Sequence, residues 1–234
     1  MGDVQVMAHR GASKVERENT LLAFIRAAHM GANCAELDVR ICKSGELVVH
    51  HNAALDDGRA IKDLLRAELP EHIPTLSAAL DACAPMNVNI EIKNDEVEPD
   101  FDPTDRVAEM VVQLLRERGE PSKWLISAFR RETVDRVHQL WPQLPTAWLT
   151  VTVADIDAVQ LATSLVASGH IAVHPFVKTL TRSLVETMHA SGLAVNTWTC
   201  DDPIRMRELI EWGIDGICTN VPDVALDVLA KSKN

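Results

Sequence analysis

The stretch IAVHPFVKTLTRSLVETMHASGLAVNTWTCDDPIRMRELIEWGIDGICT, Ile171 to Thr219, sets three short apolar runs around two helical patterns. Ile171–His174, Ala194–Thr199 and Gly216–Thr219 are apolar with little polar alternation, as strands covered on both faces should be. Between them, Arg182–Ala190 reads as a helix ended near Gly192. Pro203–Trp212 reads as a helix that opens on proline, whose missing N–H costs nothing at that position. Strand, helix, strand, helix, strand at this spacing is the signature of parallel strands joined by crossover helices.

The same alternation continues toward the N-terminus. Strands are predicted over Val4–Ala8, Cys34–Ile41, Val88–Ile92, Trp124–Ala128 and Thr146–Val151. Helices are predicted over Glu18–Met30, Leu76–Ala84, Thr104–Arg118, Arg131–Leu140, Asp155–Val166 and Asp223–Lys231. In the first helix Leu21, Leu22, Phe24, Ile25 and Ala28 form the expected apolar stripe, and Gly31 stops it. About eight strand–helix units in a chain of this length fit a (β/α)8 TIM barrel, which takes ~250 residues. A doubly wound open sheet is the competing α/β architecture, but no glycine-rich dinucleotide fingerprint follows the first strand. We therefore expect one barrel domain over residues 1–234. Lys43-Ser44-Gly45 turns the second strand back into an extended Glu46–His50. Residues 53–74 form a loop insertion with a helical turn or two near Ile61–Ala67, expected to lie over the catalytic face.

A formal net charge of -11 sets the chain against nucleic acid, whose phosphates would repel it. A small phosphorylated substrate in a local basic pocket stays open. Five cysteines (Cys34, Cys42, Cys83, Cys200, Cys218) form no C-x-x-C pair, so reduced thiols and a cytoplasmic location are expected. The opening Met1–His9 lacks the basic and apolar regions of a secretory leader. No run reaches the ~18 apolar residues of a membrane span, so no stable membrane insertion is expected. The oligomeric state stays open.

Charges stand where strands should be apolar. Glu36 and Asp38 are two apart in a strand and so share one face, opposite Leu37 and Val39. Adjacent carboxylates of this kind suit a hard divalent cation such as Mg²⁺ or Ca²⁺; a solvated strand end would look the same. Glu91 and Lys93 repeat the spacing between Ile90 and Ile92, as a third carboxylate with a cation or as a rim ion pair. His9-Arg10-Gly11 ends the first strand, with an arginine able to fork a phosphate and a histidine able to exchange a proton. His50-His51 ends the segment after the second strand. Trp198 and His174 end later strands; one covers a substrate or packs, the other supports the site or packs. His29, His72, His138, His170 and His189 read as structural or solvated.

Together these residues resemble the glycerophosphodiester phosphodiesterase family. Its pattern of His-Arg, Glu-x-Asp and His stands here as His9-Arg10, Glu36-Leu37-Asp38 and His51. Glu18-Asn19-Thr20 with Ala23-Phe24, Gly31-Ala32, Ser44-Gly45 with Val48-Val49, Pro74-Thr75-Leu76, Glu91-Ile92-Lys93, Ser127-Ala128-Phe129, Trp198-Thr199 and Gly213–Ile217 follow in the family's order. The resemblance implies Glu36, Asp38 and Glu91 as metal ligands, Mg²⁺ or Ca²⁺ being the cofactor. It implies Arg10 and Lys93 on the phosphate, His9 and His51 as the acid/base pair, and Trp198 along the substrate pocket. The reaction implied is hydrolysis of a glycerophosphodiester to glycerol 3-phosphate and an alcohol. Three departures stand out. His51-Asn52 replaces His-Asp, and the usual Asp-Arg-Thr after that histidine is absent. Thr219-Asn220 replaces the commoner Thr-Asp. The doubled histidine leaves His50, on the opposite strand face, as the alternative to His51. Two rivals follow: a lysophospholipase D-type lipid phosphodiesterase and a non-catalytic phosphate-binding barrel.

Overall fold

The computed structural model describes residues 4–232, so Met1–Asp3, part of the opening read for a leader, lie outside the described residues. The chain runs β1 (Gln5–Ala8), α1 (Leu21–Met30), β2 (Cys34–Ile41), β3 (Leu47–Val49), α2 (Leu76–Ala82), β4 (Asn87–Ile92), α3 (Arg106–Arg118), β5 (Trp124–Ala128) and α4 (Arg131–Leu140). It continues through β6 (Thr146–Thr150), α5 (Ala158–Ala167), β7 (Ala172–Pro175), α6 (Arg182–Ala190), β8 (Ala194–Thr197), α7 (Pro203–Glu211), β9 (Gly216–Thr219) and α8 (Pro222–Ser232). Every strand but β3 pairs parallel with its neighbours, and β1 bonds both β2 and β9. The sheet is thus a closed (β/α)8 barrel. Closure removes the free edges an open sheet would leave. β3 lies outside the ring, antiparallel to the far end of β2, with Val39 opposite Val49 and Ile41 opposite Leu47.

Two apolar layers hold the barrel to its helices. Leu37, Val39, Ile90 and Ile92 face outward and bury against Phe24, Leu76, Leu80 and Leu115. Val173, Val195 and Ile217 do the same against Leu165, Leu184, Met188 and Leu209. Each such side chain contributes roughly 1.5–3 kcal/mol on burial. The inner faces carry the polar residues, because strand period sends Glu36, Asp38 and Arg40 to the side opposite Leu37 and Val39. Space inside is tight: a Cβ on Gly216 would stand 2.3 Å from Asn196 Oδ1.

Helix α1 departs from its expected start and stripe. It begins at Leu21, capped by Thr20, whose hydroxyl accepts from the Ala23 amide at 3.2 Å. Ala23, Phe24 and Ala27 are buried, while Leu21, Leu22 and Ile25 are 39%, 55% and 41% exposed. The cause is steric: the turn after β1 passes so close that a Cβ on Gly11 would lie 2.6 Å from the Ala23 carbonyl carbon. Only a small side chain fits there, and that contact sets which face turns inward. Residues 53–74 form two short 3₁₀ turns, Ile61–Asp63 and Arg66–Glu68. They enclose a small core of Val48, Leu55, Ile61, Leu64, Leu69 and Ile73 with Cys42. All five thiols are free and buried, and no helix among the described residues is long and apolar enough to cross a membrane.

Candidate active site

Strand register assembles the acids. Asp38 and Glu91 are directly opposed on β2 and β4, and Glu36 lies one step below. One carboxylate oxygen from each of the three lies within 4.8 Å of the others. Glu36 is 3% and Asp38 0% exposed, so water does little to screen their repulsion. Arg10 sits in the left-handed region, φ 57°, and the turn it makes with Gly11 aims its amide at Glu36 Oε2, 2.9 Å away. Asn19, also left-handed at φ 56°, donates Nδ2 to Asp38 Oδ2 at 2.8 Å. Arg10 Nε stands 3.3 Å from the same oxygen. Lys93 Nζ holds Glu91 Oε1 at 2.8 Å and lies 3.9 Å from Asp38 Oδ1.

Two oxygens are left over. Glu36 Oε1 and Asp38 Oδ1 are buried without a hydrogen-bond partner. Buried acceptors normally have one, and a hard divalent cation satisfies several at once. Burial and the charges of Asp38 and Glu91 push the Glu36 carboxyl well above the usual range. Burial and Asp38 likewise raise Glu91 against the pull of Lys93. Burial would raise Asp38 too, but Arg10, Lys93 and His51 outweigh it and hold it low. The donor set therefore fits a divalent cation, which would relieve the repulsion that raises Glu36 and Glu91.

The histidines flank this cluster. His9 Nδ1 is 2.7 Å from Asn220 Oδ1, and His51 Nδ1 is 2.8 Å from Asn52 Oδ1. Burial, with the charge of Arg10, lowers the His9 imidazole. His51 is lowered by burial, partly offset by Asp38. His50 bonds the Asn52 carbonyl at 2.8 Å instead. Trp198 follows β8, its indole N–H on the His174 carbonyl at 2.8 Å. Phe129 meets its ring edge-on at 5.3 Å, and Phe176 lies 5.0 Å away. A cavity of about 210 Å³ opens beside them, lined by Glu91, Lys93, Phe129 and Val151 among others. Thus His9, Arg10, Glu36, Asp38, His51, Glu91 and Lys93 converge at one mouth of the barrel, where the strands end.

Sequence reading assigned no role to Asn19 or Arg40. Arg40 is 1% exposed; it donates to the His51 carbonyl at 2.6 Å and binds Asp100 at 2.7 Å and Glu98 at 2.9 Å. Its signal was available, since Arg40 is the third charge in the Glu36, Asp38 series on one strand face. Asn19 stood out only as part of the Glu18-Asn19-Thr20 segment, and its contact with Asp38 was hidden because its reach depends on a loop conformation.

A family model described as the glycerophosphoryl diester phosphodiesterase family matches residues 9–224, nearly the whole chain and all the residues just described. The chain belongs to the glycerophosphoryl diester phosphodiesterase family. A glycerophosphodiester phosphodiesterase of Caldanaerobacter subterraneus subsp. tengcongensis is 30% identical, covering 97% of this chain and 98% of its own. One from Bacillus subtilis is 28% identical, covering 94% and 85%. A phosphodiesterase of Oleispira antarctica, solved with the product sn-glycerol-3-phosphate, superposes with a TM-score of 0.87. It is 23% identical over 97% of this chain and 96% of that one, a likeness of fold. Asn52 and Asn220, two of the departures from the family pattern named in the sequence, both contact the flanking histidines.

Proposed function

We propose that the chain hydrolyses glycerophosphodiesters to glycerol 3-phosphate and an alcohol, with His9 and His51 exchanging the protons. The observation that carries this reading is the pair of orphaned carboxylate oxygens between two cations and two histidines. Glu36, Asp38 and Glu91 would hold a divalent cation, Mg²⁺ or Ca²⁺. When bound, it supplies positive charge that stabilises a phosphate oxygen as negative charge builds. Arg10 and Lys93 add fixed positive charge for the same oxygens. One histidine takes the proton of the attacking hydroxyl as the new P–O bond forms. The other protonates the leaving alkoxide as the old P–O bond breaks, so charge never accumulates on either oxygen. Each transfer typically contributes ~10²–10⁴-fold. The attacking hydroxyl belongs to water or to the glycerol itself, by way of a transient cyclic phosphate. Trp198, with Phe129 and Phe176, would bound the alcohol side. Segment 53–74 is proposed to shape the entrance, since Asp56 pairs with Arg17 and Lys62 bonds the Pro99 carbonyl across it. The unpaired thiols accord with a reducing, cytoplasmic compartment.

The apolar pair Phe129 and Val151 in the cavity wall favours a second reading, a lysophospholipase D-type activity. Glycerophosphocholine and a lysolipid are to be compared directly. Faster turnover of the lysolipid supports the second reading, and turnover of neither with any divalent cation supports a non-catalytic phosphate-binding barrel. Within the site, His51→Ala is expected to lower kcat by at least ~10²-fold while His50→Ala leaves it near wild type. The reverse result would assign the role to His50.

A further inference from the structure

The two histidines contact asparagines, and only one of those amides is pinned. Asn220 Nδ2 donates to Asp201 Oδ2 at 2.7 Å. Asp201 is itself fixed, its Oδ1 accepting from the Asn220 amide and the Thr219 hydroxyl, each at 2.8 Å. A carboxylate only accepts, so the NH₂ of Asn220 must face Asp201 and its oxygen must face His9. That oxygen, 2.7 Å from His9 Nδ1, can only receive a proton. The Ser13 hydroxyl, 2.8 Å from the same oxygen and 2.7 Å from the His9 carbonyl, is compatible with this orientation. Neutral His9 must then carry its proton on Nδ1 and leave Nε2 bare. Asn52, beside His51, has no such second contact among the described residues, and its amide is free to turn.

We propose that Asp201 is a positioning residue which, through Asn220, locks His9 in the Nδ1–H tautomer and so makes it the proton acceptor. His51, unlocked, is left to deliver a proton to the leaving group. This rests on the acid/base reading above but does not need turnover to be tested.

Asp201→Asn is the discriminating variant. Its oxygen can keep the bonds from Thr219 and the Asn220 amide, while its new NH₂ faces Asn220. The Asn220 side chain must then turn its oxygen toward residue 201 and its NH₂ toward His9. The ring responds by accepting at Nδ1 and carrying its proton on Nε2, pointing a donor at the nucleophile. ¹⁵N NMR of histidine-labelled protein, with His9 assigned by His9→Gln and recorded where the ring is neutral, reads the tautomer. Wild type is expected to show protonated Nδ1, and D201N protonated Nε2. On glycerophosphocholine, kcat should fall on the order of 10²-fold with KM little changed. Adding N220D to D201N returns a carboxylate that accepts from both the His9 Nδ1–H and the amide at 201. Both the tautomer and kcat should recover. If D201N folds poorly, Asp201→Ala frees the Asn220 amide and should show both tautomers. Persistence of the Nδ1–H form in D201N overturns the proposal, as does an inverted tautomer with wild-type kcat. If wild type hydrolyses no phosphodiester, the hydrolase reading falls, and the ¹⁵N spectra still decide whether Asp201 sets the tautomer.

Discussion

His174 is 3% exposed on the inner face of β7 and accepts from the Asn196 amide at 2.9 Å. Burial drives its pKa down to about 3. The ring is therefore neutral in the folded protein well below the ~6.5 at which an unfolded histidine takes up its proton. Between those values the unfolded chain binds more protons, so this contribution is full above ~6.5 and fades as pH falls. The slope approaches ~1.4 kcal/mol per pH unit for one proton. In urea unfolding compared at several pH values, His174→Gln is expected to lose less stability than wild type on acidification below ~6.5. Parallel curves would show that His174 is charged or solvated. At this scale the sequence was informative wherever a strand carried the residue. Alternation places Glu36 and Asp38 on one strand face and Glu91 at the same spacing from Lys93, which lies just past the end of β4. The contacts of His9, Asn19 and Asn220 depend on loop conformations and on partners 211 positions apart in one case, which local pattern does not encode.

Strand β2 does two tasks at once. Residues 34–39 pair within the ring and present the acids; residues 39–41 pair with β3 outside it. Arg40 stands at the changeover with its side chain fully buried, tied to Asp100, Glu98 and the backbone of His51. Removing one partner from a buried ion network leaves the others uncompensated, at a cost of roughly 3–5 kcal/mol. Arg40→Met should lower the urea midpoint accordingly and also reduce kcat, because the His51 carbonyl loses its anchor. A midpoint within error of wild type would show that the network contributes nothing net. The strand–helix order was legible because each unit repeats one pattern. The face of α1 was not, since Leu21, Leu22 and Ile25 are as apolar as any core residue. Which side turned inward was decided by the close passage of Gly11 over Ala23, a contact between elements.

For the whole molecule, the outer layers between strands and helices supply stability, and the barrel interior gives some of it up. Two buried carboxylates and a half-buried third in mutual repulsion are tolerable when a cation joins them. A ligand that binds only the folded state adds about 2.7 kcal/mol at a hundredfold excess over its Kd. Saturating Mg²⁺ or Ca²⁺ is therefore expected to raise Tm, and Glu36→Gln to abolish most of that rise while stabilising the metal-free protein. A cation-independent Tm in wild type would contradict this. The most direct measurement is release of glycerol 3-phosphate from glycerophosphocholine by chelator-treated wild type, followed through addition of divalent cation, with Glu36→Gln alongside. Release should be absent after chelation, return with the cation in wild type, and stay absent in the variant. Equal release before and after chelation, or none under any cation, would contradict a carboxylate-held metal working with the His9 and His51 pair.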